Sequence, residues 1–288
     1  MYPEKGSDII QPLFPWIGGK QALYRMIIDR FPSDYRERKY VEVFGGGASV
    51  LLNKDRSVRE AINDRNSNLV NLYRMVRERP LELQDRLRYV LNSREDFDTI
   101  KRRLAQGHNK DPVKWAADFF QLIKQSYGGG GTSFGGSPRS MRAAFPIIDA
   151  VAERLQYVVI ENMDFERFIK NQDGPGTLFY LDPPYVLTED YYGKLFGPPD
   201  HFRLADLLME AQGLWLLSYN YCDTVVALYS VPGIYIEKVE RINNLAQRYD
   251  PGAVYEEVFI SNYDTSIVLP DQISLTGYAP VERNFIWK

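Results

Sequence analysis

Asp182, Pro183, Pro184 and Tyr185 stand directly behind an apolar run, Leu178, Phe179, Tyr180 and Leu181. The run reads as a short buried strand. Proline has no backbone N–H and cannot continue a ladder, so the strand stops there. A carboxylate and an aromatic ring are thereby placed at a strand end and held by two stiff residues. One reading is chemical: a fixed acid beside a fixed ring. The other is structural: a Pro-Pro strand stop in which Asp182 hydrogen-bonds the turn.

Three further stretches carry residues of chemical interest. Gly45, Gly46 and Gly47 follow the strand-like "KYVEVF" of residues 39 to 44, where glycine lets the backbone turn sharply and approach a ligand. Their spacing is not the full dinucleotide fingerprint. Asp64 ends a second strand-like segment, "REAIND", 17 residues beyond Gly47. An acid there can hold a ribose diol, or it can cap the next helix. Glycine turn and acid together favour an adenosine-containing cofactor. "LFPWIGGK", residues 13 to 20, joins Trp16 to Gly18, Gly19 and Lys20. It could be packing plus a surface charge, or a lid that offers a cation to a cofactor carboxylate.

The elements that must position these residues have a legible order. Strand 39–44, glycine turn, short helix, strand 59–64 and the helix "NSNLVNLYRMVRE" open a doubly wound sheet. The pattern then turns helical from 80 to 125, in "PLELQDRLRYVLN", "REDFDTIKRRLAQ" and "PVKWAADFFQLIK". "SYGGGGTSFGGSPRS" follows, with six glycines in fifteen residues. It could be a flexible linker, but Tyr127, Phe134 and Arg139 within it fit a binding loop. Alternation resumes with helix 146–155 and strands 157–162 and 177–182. Helix 200–211 and strand 214–220 follow, and "IYIEKVERI" with "EEVFISNY" reads as an antiparallel pair. The fold class is α/β, with a mainly helical insert.

The 288 residues are 44% hydrophobic, with 20 Tyr and 15 Phe, enough for a substantial core. No apolar run reaches membrane-spanning length, and "MYPEKGSDIIQPLF" lacks a signal-peptide pattern. One cysteine, Cys222, cannot form an internal disulfide, so a reducing cytoplasm is expected. Two histidines and one cysteine do not furnish a zinc site, and no metal is expected. Net charge is −3, but Arg74 to Arg142 holds fourteen Lys and Arg against eight Asp and Glu. That segment is +6 and the remainder −9. A basic segment in an acidic chain fits either a local polyanion contact or solvated helix faces of mixed charge.

"FPWIGGK", "YVEVFGGGASVLL", "AINDRNSNLVNLY", "NMDFERFI", "FYLDPPY" and "LLSYN" occur in the order seen in Dam-type N6-adenine DNA methyltransferases, and the chain resembles that family, the D12 class of the alpha group, over about residues 10 to 265. The resemblance implies a Rossmann-like sheet binding S-adenosylmethionine, with a catalytic domain of residues 1–74 and 146–288. A target-recognition insert of residues 75–145 would bind double-stranded DNA. Trp16 and Lys20 match cofactor-site positions, Lys20 facing the cofactor carboxylate. Phe44, Gly45, Gly46 and Gly47 would lie against the methionine portion, and Asp64 would hold the ribose hydroxyls. Asp164 and Phe165 match adenine-contacting positions, although Asp164 is also a cap candidate for "FERFIKN". Asp182, Pro183, Pro184 and Tyr185 would be the catalytic element, Asp182 also lying beside the cofactor.

The glycine-rich loop departs from the family pattern, so no base-reading residue is carried over. Lys124, Tyr127, Arg139 and Arg142 are DNA-binding candidates from charge and aromaticity alone. The expected protein is a cytoplasmic enzyme of bacterial or phage origin, monomeric by default, with no membrane partner. Its role in restriction–modification, solitary regulation or a phage stays open. Methylation of cytosine N4, an RNA adenine or a protein amide, or nucleic-acid binding without catalysis, are the alternatives. The tail "LTGYAPVERNFIWK" falls outside the resemblance.

Overall fold

A computed structural model of the chain describes residues 9–16, 18–107, 110–188, 195–242 and 254–267. The N-terminal octapeptide and the tail from residue 268 lie outside them. Among the described residues, seven strands form one mixed sheet in the order β3-β2-β1-β4-β5-β7-β6. They are β1 (Lys39–Glu42), β2 (Arg59–Asn63), β3 (Val158–Glu161), β4 (Thr177–Leu181), β5 (Leu214–Asn220), β6 (Tyr235–Ile242) and β7 (Val254–Ser261). The chain divides into two compact units. The first comprises Met1–Ile28, Gly45–Arg56 and Ala61–Asn162, and the second Asp29–Phe44, Ser57–Glu60 and Met163–Lys288.

The first unit is mainly helical. It holds α1 (Tyr24–Ile28), α2 (Ser49–Asn53), α3 (Ser67–Glu78), α4 (Pro80–Leu87), α5 (Arg94–Ala105), α6 (Pro112–Gln125) and α7 (Phe145–Leu155). Helix α3 packs on α6 and α7, and α6 on α4 and α5. Sequence-local chemistry starts these helices. The Asn66 side chain accepts from the N–H groups of Asn68 and Leu69. Ser93 accepts from Asp96, and Asp111 from Val113 and Lys114, with Pro112 in the first turn of α6. The cap of α3 is thus Asn66, not Asp64. The stretch expected to be helical from 80 to 92 stops at Leu87, because Asn92 is engaged elsewhere: it exchanges two hydrogen bonds with the Arg139 backbone.

The second unit carries the centre of the sheet. Strand β4 is buried at every position, which explains its unbroken apolar sequence. It runs parallel to β1 and β5, with Phe179 opposite Val41 and Trp215. The carboxyl ends of β4 and β5 therefore share one edge of the sheet. Strand β7 is antiparallel to β5 and brings Glu257 opposite Asn220 at that edge. Strand β6 pairs with β7 as the expected antiparallel pair. Helices α8 (Phe165–Gln172), α9 (Pro198–Glu210) and α10 (Asp223–Tyr229) complete the unit, and neither α1 nor α10 was legible as a helix.

Candidate active site

In the first unit the glycine turn is a tight structure. The Gly45 N–H donates to Asn63 O at 2.7 Å and the Ala48 N–H to Gly45 O at 2.7 Å. Gly46 has φ of +44°, and a Cβ there would sit 3.0 Å from Trp16 Cδ1. Both the left-handed backbone and the close approach of the indole demand glycine. Trp16 in turn packs on Phe14 and Phe119. Asp64 accepts from the Gly46 N–H at 3.0 Å on one oxygen and from the Asn66 N–H at 2.8 Å on the other. Burial raises its pKa above the usual carboxylate range, although the backbone N–H groups of Asn66, Gly46 and Arg65 pull the other way. Tyr73 adds a hydrogen bond to Gly46 O at 2.6 Å. Lys20 is only 5% exposed and its ammonium donates to Gly18 O. Trp16, Gly46 and Asp64 are thus joined in one cluster, a cradle that a single added Cβ would fill.

In the second unit two groups of predicted residues stand at the strand ends. Phe44 meets Phe165 and Phe196 with each pair of ring centroids 5.7 Å apart. Arg203 lies 4.3 Å over the Phe165 ring. Asp164 caps α8 by accepting from the Glu166 N–H at 3.0 Å, and its other oxygen accepts from Arg203 at 3.0 Å. The cap expected of Asp164 is therefore formed, with an arginine that sequence reasoning missed.

The Asp182–Tyr185 turn is held by strands β5 and β7. Ser218 Oγ donates to Asp182 Oδ1 at 3.2 Å and lies 2.9 Å from the Tyr180 hydroxyl. A serine hydroxyl has one proton, so while it donates to Asp182, Tyr180 must donate to it. Burial, then the Asp182 charge, keep the Tyr180 pKa well above the ordinary phenol value, so that proton stays in place. Tyr185 donates to Glu257 Oε2 at 3.1 Å, and its ring lies 5.9 Å from that of Tyr219. Asn220 accepts from the Val186 N–H at 3.1 Å and donates to Val186 O. "LLSYN" was visible as a motif, but the turn it serves lies more than thirty residues away.

The glycine-rich segment is an ordered loop, pinned by a Ser126–Phe134 bridge and the Gly135 N–H on Gln125 O at 2.7 Å. Phe134 packs on Phe97, and Lys101 donates to Thr132 O. Tyr127 is 78% exposed, and Arg139 and Arg142 are exposed. Lys124 is only half-exposed. Its ammonium lies 5.6 Å from the Phe120 ring centroid, and burial, then the Arg139 charge, lower its pKa. Gly129, at φ of +76°, passes so close to Pro15 that a Cβ would be 2.4 Å from the Pro15 carbonyl oxygen. The loop thus abuts the segment that carries Trp16.

Residues 16–249 match the model of the D12 class N6 adenine-specific DNA methyltransferase family. The chain belongs to that family. This D12 class methyltransferase is 25% identical over 285 residues to the Type II methyltransferase M1.LlaDCHI of Lactococcus lactis subsp. cremoris, covering 90% of this chain and 98% of the relative. Solved structures that resemble it include the rRNA methyltransferase aviRa of Streptomyces viridochromogenes, at 13% identity, 92% and 94% coverage and a TM-score of 0.39. Protein LPL1258 of Legionella pneumophila str. Philadelphia 1 is another, at 8% identity, 89% and 86% coverage and a TM-score of 0.32. Membership makes the D12 enzyme an adenine-specific DNA methyltransferase and implies S-adenosylmethionine as its methyl donor. No helix among the described residues is long and apolar enough to cross a membrane.

Proposed function

We propose that Asp182, Pro183, Pro184 and Tyr185 receive a target adenine flipped from duplex DNA and prepare its 6-amino group for methylation. The observation that carries this reading is the fixation of the turn, with Asp182 held by Ser218 and Tyr185 by Glu257. S-adenosylmethionine, when bound, supplies a methyl group made electrophilic by a sulfonium. The amine is a poor nucleophile because its lone pair is delocalised into the purine ring. The Asp182 carboxylate accepts one amine N–H and the Pro183 carbonyl the other, which draws the nitrogen towards a pyramidal shape and restores density to it. An ionised carboxylate offers about four acceptor positions, so the Ser218 bond and an amine bond are compatible. A carboxylate is too weak a base to remove a proton from an aryl amine beforehand. Asp182 instead stabilises the positive charge that develops on nitrogen, and the proton leaves afterwards.

For the cofactor, Asp64 would hold the ribose hydroxyls, and Gly45 to Gly47 with Phe44 and Trp16 the methionine portion. Lys20 would meet its carboxylate, and Asp164 and Phe165 its adenine. The cluster at Gly46 supports such a contact, since the Trp16 ring, the bare glycine backbone and the Asp64 carboxylate are gathered at one turn.

Flipping a base costs about a few kcal/mol. Stacking on Tyr185, worth about 1–3 kcal/mol, offsets part of this. Phosphate contacts from the basic insert, residues 75–145, offset the rest, with Lys124, Tyr127, Arg139 and Arg142 on its loop side. The Type II relative supports a place in a restriction–modification system. Expression in a methylation-free host followed by sequencing of its DNA for modified bases tests the reading. N6-methyladenine at one recurrent sequence is expected, and an absence of modified adenine would refute it.

A further inference from the structure

Glu257 has entered so far only as the partner of the Tyr185 hydroxyl. It is 1% exposed, on β7, and a buried carboxylate is costly unless it is hydrogen-bonded. One of its oxygens accepts the Tyr185 hydroxyl at 3.1 Å. We propose that Glu257 is a positioning residue for the methyl-acceptor base: it tethers the Tyr185 hydroxyl and so fixes the plane on which the flipped adenine stacks. The inference rests on the reading of Tyr185 as the stacking residue.

The geometry supports this in three ways. The ring is fixed at both ends. Its backbone follows Pro183 and Pro184, and the next residue, Val186, is clamped through both backbone groups by Asn220. Its hydroxyl reaches Glu257, which stands opposite Asn220 in the β5–β7 ladder. The two clamps therefore come from facing positions of adjacent strands. Second, the ring leans on Tyr219 at 5.9 Å and 38°, and Tyr219 is itself hydrogen-bonded to buried His201. Third, burial together with the charges of Asp182 and Glu257 holds the Tyr185 pKa well above the ordinary phenol value. The hydroxyl stays protonated and is a donor, which a carboxylate requires of its partner. An untethered ring would lose rotamer freedom each time a base stacked on it, and that cost would fall on the flipped state.

The test is a set of variants assayed for kcat, for KM on DNA and for S-adenosylmethionine affinity, with melting temperature as a control. Glu257→Leu removes the acceptor and keeps the volume, and kcat should fall about tenfold. Cofactor affinity should stay within about twofold. Glu257→Gln keeps an acceptor oxygen and should recover most of the rate. Tyr185→Phe should match Glu257→Leu, and the double variant should be no slower than either single one, since both remove the same hydrogen bond. Losses that multiply to about a hundredfold in the double variant would overturn the proposal, as would unchanged kcat in Glu257→Leu. A loss of cofactor affinity as large as that of kcat would also overturn it. Should Glu257→Leu not fold, Tyr185→Phe decides alone, and unchanged kcat there refutes the tether. Tyr185→Ala separates the tether from the reading beneath it. If Ala is inactive while Phe is as fast as wild type, the ring stacks the base and the tether is wrong. If Ala retains turnover, the role of Tyr185 itself is wrong.

Discussion

The turn at Asp182–Tyr185 and the loop at residues 126–140 both follow a well-packed element, yet they are held in opposite ways. In the turn, side chains are the restrained parts: Asp182 by Ser218, Tyr185 by Glu257 and Tyr219. In the loop, the backbone is restrained, by the Ser126–Phe134 bridge and the Asn92 bonds to Arg139, while Tyr127 and Arg139 project outward, as does Arg142 just beyond it. Methyl transfer needs a few atoms placed to within fractions of an ångström. Recognition of a long polyanion needs a defined surface with adaptable side chains. The contrast suggests that substitutions in the turn will change rate and those in the loop will change binding.

The largest effect expected is in the turn. Asp182→Ala should lower kcat by at least about a hundredfold, because both an oriented hydrogen bond and a charge are lost, while S-adenosylmethionine affinity holds. Calorimetry showing a matching collapse of cofactor affinity would break the separation of roles. Next comes Asp64→Ala, which should weaken S-adenosylmethionine binding at least about tenfold. It should also loosen the glycine turn, since Asp64 carries the Gly46 N–H, so a modest fall in melting temperature is expected with it. Unchanged affinity in a folded variant would leave Asp64 as a turn-forming residue only.

Gly129→Ala sharpens the comparison, because this loop glycine touches Pro15. Adding a Cβ must displace the Pro15 backbone, and the positive φ is unfavourable besides. DNA binding and cofactor binding should both weaken by several-fold, unlike the other loop changes. DNA binding reduced alone would show that the Pro15 contact transmits nothing to Trp16. The smallest effects belong to Arg139→Ala and Arg142→Ala. Each should flatten the salt dependence of DNA binding by about one unit of slope if it meets a phosphate. A base-reading arginine would instead relax target choice, by about 1–3 kcal/mol at one position. Titration of target and non-target duplexes across a salt series distinguishes the two.

Much of this arrangement was legible because local chemistry dictates it. The run Leu178 to Leu181 followed by two prolines fixes both the strand and its end. Asp64 was visible as a residue for a ligand or a cap, and it turned out to hold the glycine turn while Asn66 caps the helix. The Asp182–Tyr185 turn stood out from its types alone. Its supports did not. Ser218 and Glu257 meet their partners only through the strand order β4-β5-β7, and no local periodicity encodes which strands become neighbours. The strand is buried on both faces from Glu257 to Ile260, which the acidic start of "EEVFIS" does not announce. The Gly129–Pro15 approach is equally non-local.

The central claim is that Asp182 acts on the amine by orientation and charge, in a turn whose geometry is already set. Single-turnover methyl transfer from a preformed complex, comparing wild type with Asp182→Asn, tests it most directly. Asparagine keeps an acceptor oxygen that Ser218 can hold but loses the negative charge. The account predicts unchanged cofactor affinity and DNA binding with a chemical step slowed by about a hundredfold or more. A chemical step as fast as wild type in the Asn variant would contradict it, since the charge on Asp182 would then do nothing for the developing cation.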